Sequence, residues 1–115
     1  MLTNSTVEQL PGGRAVIEVA GSLTLGTSLK VLDSQIQNLL AGDVRDLLVN
    51  LAGVDYMDSA GLGLLVHAYG QLNAKQGAMR LTGVQPRIMD LLRMTKLDTF
   101  LTIEPGGNGA LPPAA

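Results

Sequence analysis

The sequence predicts a single small α/β domain, a mixed sheet of four to five strands with three or more helices. Three observations predict it. Apolar runs of strand length alternate with longer segments whose apolar residues recur at helical spacing, the order that gives parallel strands joined by right-handed crossovers. The first two runs are joined instead by Pro11-Gly12-Gly13, which predicts an antiparallel hairpin. With 115 residues, 46% of them apolar, the chain is long enough for one core without disulfides or metal.

Taken in order, Val7 to Leu10 reads as a short strand and Ala15 to Ala20 as its hairpin partner, ended by Gly21. Gly21-Ser22-Leu23-Thr24 leads into a helix with Thr24 as its N-cap. Leu29, Leu32, Ile36, Leu39 and Leu40 form the buried stripe of that helix, and Gly42 closes it. Asp46 to Leu51 is nearly all apolar, the pattern of an inner strand. From Val54 to Gly63 the chain reads as a strand-to-helix loop, with Ser59 at or beside the N-cap.

The helix from Ala60 to Lys75 carries Leu62, Leu65, Val66, Tyr69 and Leu72 along one face, and Gly77 after it suits a left-handed turn. Ala78 to Thr82 is a further strand. Pro86 opens a third helix, where its missing N–H costs nothing, with Ile88, Leu91 and Leu92 as its buried stripe. Leu101 to Ile103 makes a last short strand. Residues 1–104 thus form one domain, and the Gly/Pro/Ala-rich stretch 105–115 is expected to be a flexible tail.

Composition excludes several functions. There is no cysteine, so thiolate catalysis and Cys-ligated metal sites are out. Ten acidic and eight basic residues give a charge of −2 without a basic patch. Phe100, Tyr56 and Tyr69 are the only aromatics, too few for base stacking, so no direct nucleic-acid binding is expected. The core must be built from aliphatic side chains. No apolar stretch reaches the ~20 residues that span a bilayer. Met1 to Thr6 lacks a basic, apolar leader. A cytoplasmic protein with no membrane partner is expected.

The chemistry concentrates at Asp55-Tyr56-Met57-Asp58-Ser59-Ala60-Gly61-Leu62-Gly63. The plain alternative for Ser59 is an N-cap, worth about 1 kcal/mol. Its setting argues for more. Gly61 and Gly63 each cost a helix up to ~1 kcal/mol, and small residues beside a hydroxyl leave room for another protein to approach. Close packing of the helix on its sheet is the competing explanation for both glycines. A phosphoryl group on Ser59 would add roughly −2 charge at a helix N-terminus, where N–H groups and the dipole favour it. A hydrolase is excluded by distance: the only histidine, His67, lies about 12 Å further along the helix axis. Asp55 and Asp58 are too few to cage a cation and suit a turn and a helix start.

From Leu47 to Gly63 the chain resembles the signature of the STAS domain, specifically the bacterial anti-sigma factor antagonists. The core of that likeness is Asp58-Ser59-x-Gly61-Leu62-Gly63 after an apolar strand, supported by Gly21-Ser22-Leu23 and the segment from Leu81 through Phe100. The resemblance implies an unphosphorylated antagonist that binds an anti-sigma factor, an ATP-dependent serine kinase, and so frees a sigma factor. The kinase phosphorylates the serine matching Ser59 and releases the antagonist, and a phosphatase acting on phospho-Ser59 resets it. Asp58, Ser59, Ala60, Gly61, Leu62, Gly63 and Thr24 would meet the kinase. ATP and magnesium would belong to the kinase, so this chain needs no cofactor or metal and is no enzyme. A monomer or weak homodimer is expected.

The alternative is a STAS interaction subunit of a lipid-transport or stress-sensing complex, without phosphorylation. Three positions depart from the family pattern: Thr24 and Asn50 stand where relatives often carry Asp, and Lys96 where they often carry Gly. At Lys96 a different end to the third helix is expected.

Overall fold

The computed structural model describes residues 4–104; the predicted tail at 105–115 lies outside them. Two strands come first, β1 (Asn4–Leu10) and β2 (Arg14–Leu23), and then helix α1 (Thr27–Ala41). Strand β3 (Asp46–Met57) and helix α2 (Ser59–Ala74) follow, then β4 (Ala78–Thr82), α3 (Pro86–Met94), a 3-10 turn at Leu97–Thr99 and β5 (Thr102–Ile103). The five strands lie in the order β1-β2-β3-β4-β5. Only the β1–β2 pair is antiparallel, as the Pro-Gly-Gly hairpin predicts. Because the order never reverses, right-handed crossovers put α1, α2 and α3 on one face of the sheet.

Between the sheet and these helices lies an aliphatic core. Ile17, Leu47, Leu51, Leu65, Leu72 and Leu81 are fully buried. As the composition requires, no aromatic is at its centre: Tyr56 and Phe100 are exposed and Tyr69 is half-buried. On α2 the buried stripe is Gly61, Leu62, Leu65, Ala68 and Leu72. Val66, placed in that stripe by spacing, is exposed.

The strands outrun their predicted ends. β3 continues from Leu51 to Met57, through the stretch read as loop, and β2 passes Gly21 to reach Leu23. Bulges make this possible. The pairing Glu18↔Asn50 is followed by Ala20↔Gly53, and Gly21↔Val54 by Ser22↔Tyr56, so β3 twice carries one residue more than its partner. At the first bulge the Asn50 Oδ1 accepts from the Ala52 N–H at 2.9 Å, and Gln85 Nε2 donates to the Ala52 carbonyl at 2.7 Å. Asn50 is buried there, serving the bulge rather than the surface around Ser59.

Two glycine-linked expectations change. Gly77 does not take the left-handed conformation; Gln76 does, with φ 62°. Gly77 is needed for closeness, since a Cβ there would lie 2.1 Å from the Arg45 carbonyl oxygen. Lys96, by contrast, adopts the left-handed conformation that a glycine would take, with φ 61°, just after the α3 C-cap at Thr95. The helix ends in that geometry without the glycine.

Lys75 fastens α2 to α1. Its Nζ donates to the carbonyls of Leu40 at 2.6 Å and Gly42 at 3.4 Å, at the end of α1, and of Val44 at 2.9 Å, in the connection that follows. The charge also sits at the negative end of the α1 dipole. Lys75→Met keeps the aliphatic stem and removes the donors, and is expected to cost about 1.5 kcal/mol of stability. Urea denaturation measures it; an unchanged midpoint would show that water serves those carbonyls equally well.

Candidate functional site

The site is built where β3 hands over to α2. The N-cap of α2 is Asp58, not Ser59: its backbone is extended, and its Oδ1 accepts from the N–H groups of Ala60 at 2.9 Å and Gly61 at 3.1 Å. A carboxylate one residue earlier reaches those amides better than a serine hydroxyl and suits the positive helix end. Ser59 is therefore the first residue of the helix, its side chain exposed and relieved of any capping duty.

Asp58 has a second task. Its Oδ2 accepts from the Leu25 N–H at 3.1 Å, and its own N–H donates to the Leu23 carbonyl at 3.1 Å. The loop between β2 and α1 is thus clamped to the start of α2. This explains why Thr24 is not the N-cap of α1. With Leu25 drawn to Asp58, the chain bends at Leu25 and Gly26, and Gly26 takes the cap position without a side-chain bond. Thr24 is half-buried in the clamped loop.

The remaining predicted residues divide. Ala60 is half-buried and Gly63 exposed, while Leu62 turns into the core. Gly61 is buried, and a Cβ on it would lie 2.5 Å from the Leu23 carbonyl oxygen and 2.8 Å from Met57 Cγ. Gly63 meets nothing within 4 Å. Packing accounts for the first glycine and leaves the second unexplained. His67 is exposed two turns along α2, too far to act as a base for Ser59. Asp55 is exposed at the second bulge, and no group of three or more His, Cys, Asp or Glu among the described residues could hold a metal.

A family model described as the STAS domain matches residues 4–108. The chain belongs to the STAS domain family. Curated STAS relatives place it with the anti-sigma factor antagonists. It is 33% identical over 90 residues to the anti-sigma-B factor antagonist of Staphylococcus aureus strain NCTC 8325, covering 78% of this chain and 82% of that one. To the protein of the same name from Listeria monocytogenes it is 34% identical over 100 residues, covering 82% and 86%. The STAS fold also matches the crystal structure of an anti-sigma factor antagonist from Mycobacterium paratuberculosis, with TM-score 0.75, 23% identity and coverage of 90% and 86%. No described helix of this STAS domain is long and apolar enough to cross a membrane.

The clamp has an electrostatic signature. The Leu25 N–H first, then that of Gly61 with a smaller part from Ala60, holds the Asp58 carboxyl below its ordinary value of 3.8. A carboxylate whose pKa is lower folded than unfolded adds stability above the unfolded value, and that stability is lost as pH falls through the folded one. The STAS domain should therefore lose this contribution below about pH 4. Urea midpoints of wild type and Asp58→Asn, measured at neutral pH and near pH 3, check it: the difference is expected to shrink in acid. A constant difference would mean that the carboxylate charge is not what stabilises the clamp.

Proposed function

We propose that this STAS domain binds an anti-sigma factor that is an ATP-dependent serine kinase, frees a sigma factor by doing so, and is switched off by phosphorylation of Ser59. One observation carries the reading: the hydroxyl of Ser59 stands exposed at the start of α2 while Asp58 performs the capping that would otherwise occupy it. A kinase can take that hydroxyl without disturbing the helix.

The charge logic differs from that of an open helix end. The amides of Ala60 and Gly61 are already engaged by Asp58, so a phosphoryl group on Ser59 does not nest among them. It stands in solvent as a dianion beside the Asp58 carboxylate, and the Asp55 carboxylate adds to the local negative charge. The fold accepts this because the position is exposed; a partner surface that fitted the neutral hydroxyl does not. Ser59, Gly63, Asp58, Ala60 and Thr24 form the docking surface, supported from beneath by Gly61 and Leu62. The antagonist performs no chemistry of its own, ATP and magnesium come with the kinase, and a phosphatase acting on phospho-Ser59 restores binding. All of this takes place in the cytoplasm.

Each anti-sigma factor kinase of the source organism, incubated with the chain, ATP and magnesium, provides the test by intact mass. One kinase is expected to place a single phosphate on wild type and none on Ser59→Ala. Full phosphorylation of Ser59→Ala, or no phosphate on wild type with any of them, would refute the reading.

A further inference from the structure

We infer that Leu25 is the apolar anchor of the surface around Ser59, and that Asp58 is the positioning residue that holds it there. The inference rests on the phosphoswitch reading above and adds to it a residue outside the signature.

Leu25 is 77% exposed, so its side chain gains almost nothing from the domain's own core. A single exposed leucine on a free loop would need no explanation. This one is not on a free loop. Its N–H is fixed to Asp58 Oδ2, the Leu23 carbonyl two residues earlier is fixed to the Asp58 N–H, and Gly61 packs against Leu23 itself. Gly26 then breaks away with φ 155°, which leaves Leu25 standing at the turn.

Of the other large exposed apolar side chains, Met94 and Phe100 sit at the end of α3 and after the 3-10 turn, and Val7, Val31 and Val66 lie on β1, α1 and α2, while Tyr56 stands on β3 two residues before Asp58. Leu25 alone among them is hydrogen-bonded through its backbone to the residue preceding Ser59.

An apolar side chain on a backbone already held in place loses little freedom on binding, which is what makes a contact energetically productive. Beside it the surface carries the carboxylate of Asp58. The partner that fits has an aliphatic pocket next to its nucleotide cleft, with one basic group at its rim to pair with the Asp58 carboxylate and none left over for a second anion. Burial of one leucine in such a pocket corresponds to about tenfold or more in affinity.

The probe is the kinase that places the single phosphate in the experiment above, loaded with ADP, with affinity read by calorimetry. Leu25→Ser is expected to bind about tenfold more weakly or worse at an unchanged melting temperature, and Leu25→Met to bind like wild type. Asp58→Asn leaves one amide oxygen, which can serve the cap or the Leu25 N–H but not both. It is expected to weaken binding clearly in the wild-type background and much less in Leu25→Ser, where only the carboxylate's own contact is left to lose. Wild-type affinity for Leu25→Ser would overturn the anchor while leaving the phosphoswitch standing. Additive losses would overturn the positioning role of Asp58. If wild type itself does not bind, the phosphoswitch fails and the anchor fails with it.

Discussion

Ser59→Glu, or stoichiometric phosphorylation of Ser59, is expected to weaken binding to the kinase about 100-fold while barely moving the melting temperature. The two halves of this expectation come from one geometry. The Ser59 side chain is exposed and makes no cap, so a larger acidic group replaces water and not protein. The added charge instead falls next to Asp58, and a partner that closed over both would desolvate two anions together. Glutamate brings one charge where phosphate brings nearly two, so the phosphorylated protein should be the weaker binder, and added salt should narrow the gap. Tight binding by the phosphorylated form would remove the basis of the switch. A large fall in melting temperature would show that the hydroxyl has a structural task after all.

The second large effect separates the two glycines. Gly61→Ala brings a methyl to within 2.5 Å of a backbone oxygen of Leu23. That oxygen belongs to a strand and already accepts from the Asp58 N–H, so it cannot simply move aside. Overpacking at the upper end of its usual range, about 3 kcal/mol, less about 1 kcal/mol regained from helix propensity, leaves a net loss of about 2 kcal/mol. Gly63→Ala should do the reverse. With open space around the new methyl, the helix gains up to about 1 kcal/mol, while the docking surface acquires a bump and affinity falls. Urea midpoints of the two variants should move in opposite directions, and kinase affinity of Gly63→Ala should fall. Should Gly63→Ala prove both more stable and equally tight in binding, the surface that meets the kinase does not pass over Gly63.

Much of this was legible in the sequence because it follows from periodicity. The hairpin, the three helices, the inner position of Asp46 to Leu51 and the first-turn proline of α3 each have a local cause that spacing or chain chemistry displays. What escaped had causes distant along the chain. Thr24 looked like a cap because nothing nearby in sequence says that Leu25 is held by a carboxylate 33 residues further on. Val54 to Met57 looked like a loop because Gly53 and two carboxylates break the apolar pattern; the bulges that keep those residues in the strand are a property of the pairing with β2. Gly77 after a helix suggests a dihedral role, whereas its reason is the nearness of Arg45. At the site, spacing puts Ser59 at or beside the N-cap, and the structure puts it one residue inside the helix. Both Asp58 and Ser59 are good caps, and only the hydrogen bonds decide between them.

Helix α2 is pinned at each end by a single charged side chain, Asp58 at its start and Lys75 just past its finish, and each reaches across to a neighbouring segment. Terminal turns ordinarily fray first, yet here the opening of either one would have to detach part of α1 or its approach as well. Backbone amides in both end turns should then exchange with deuterium about as slowly as those at mid-helix. In a bar so mounted a phosphate on the serine is expected to leave the far end where it was, to be felt only by whatever touches it from outside.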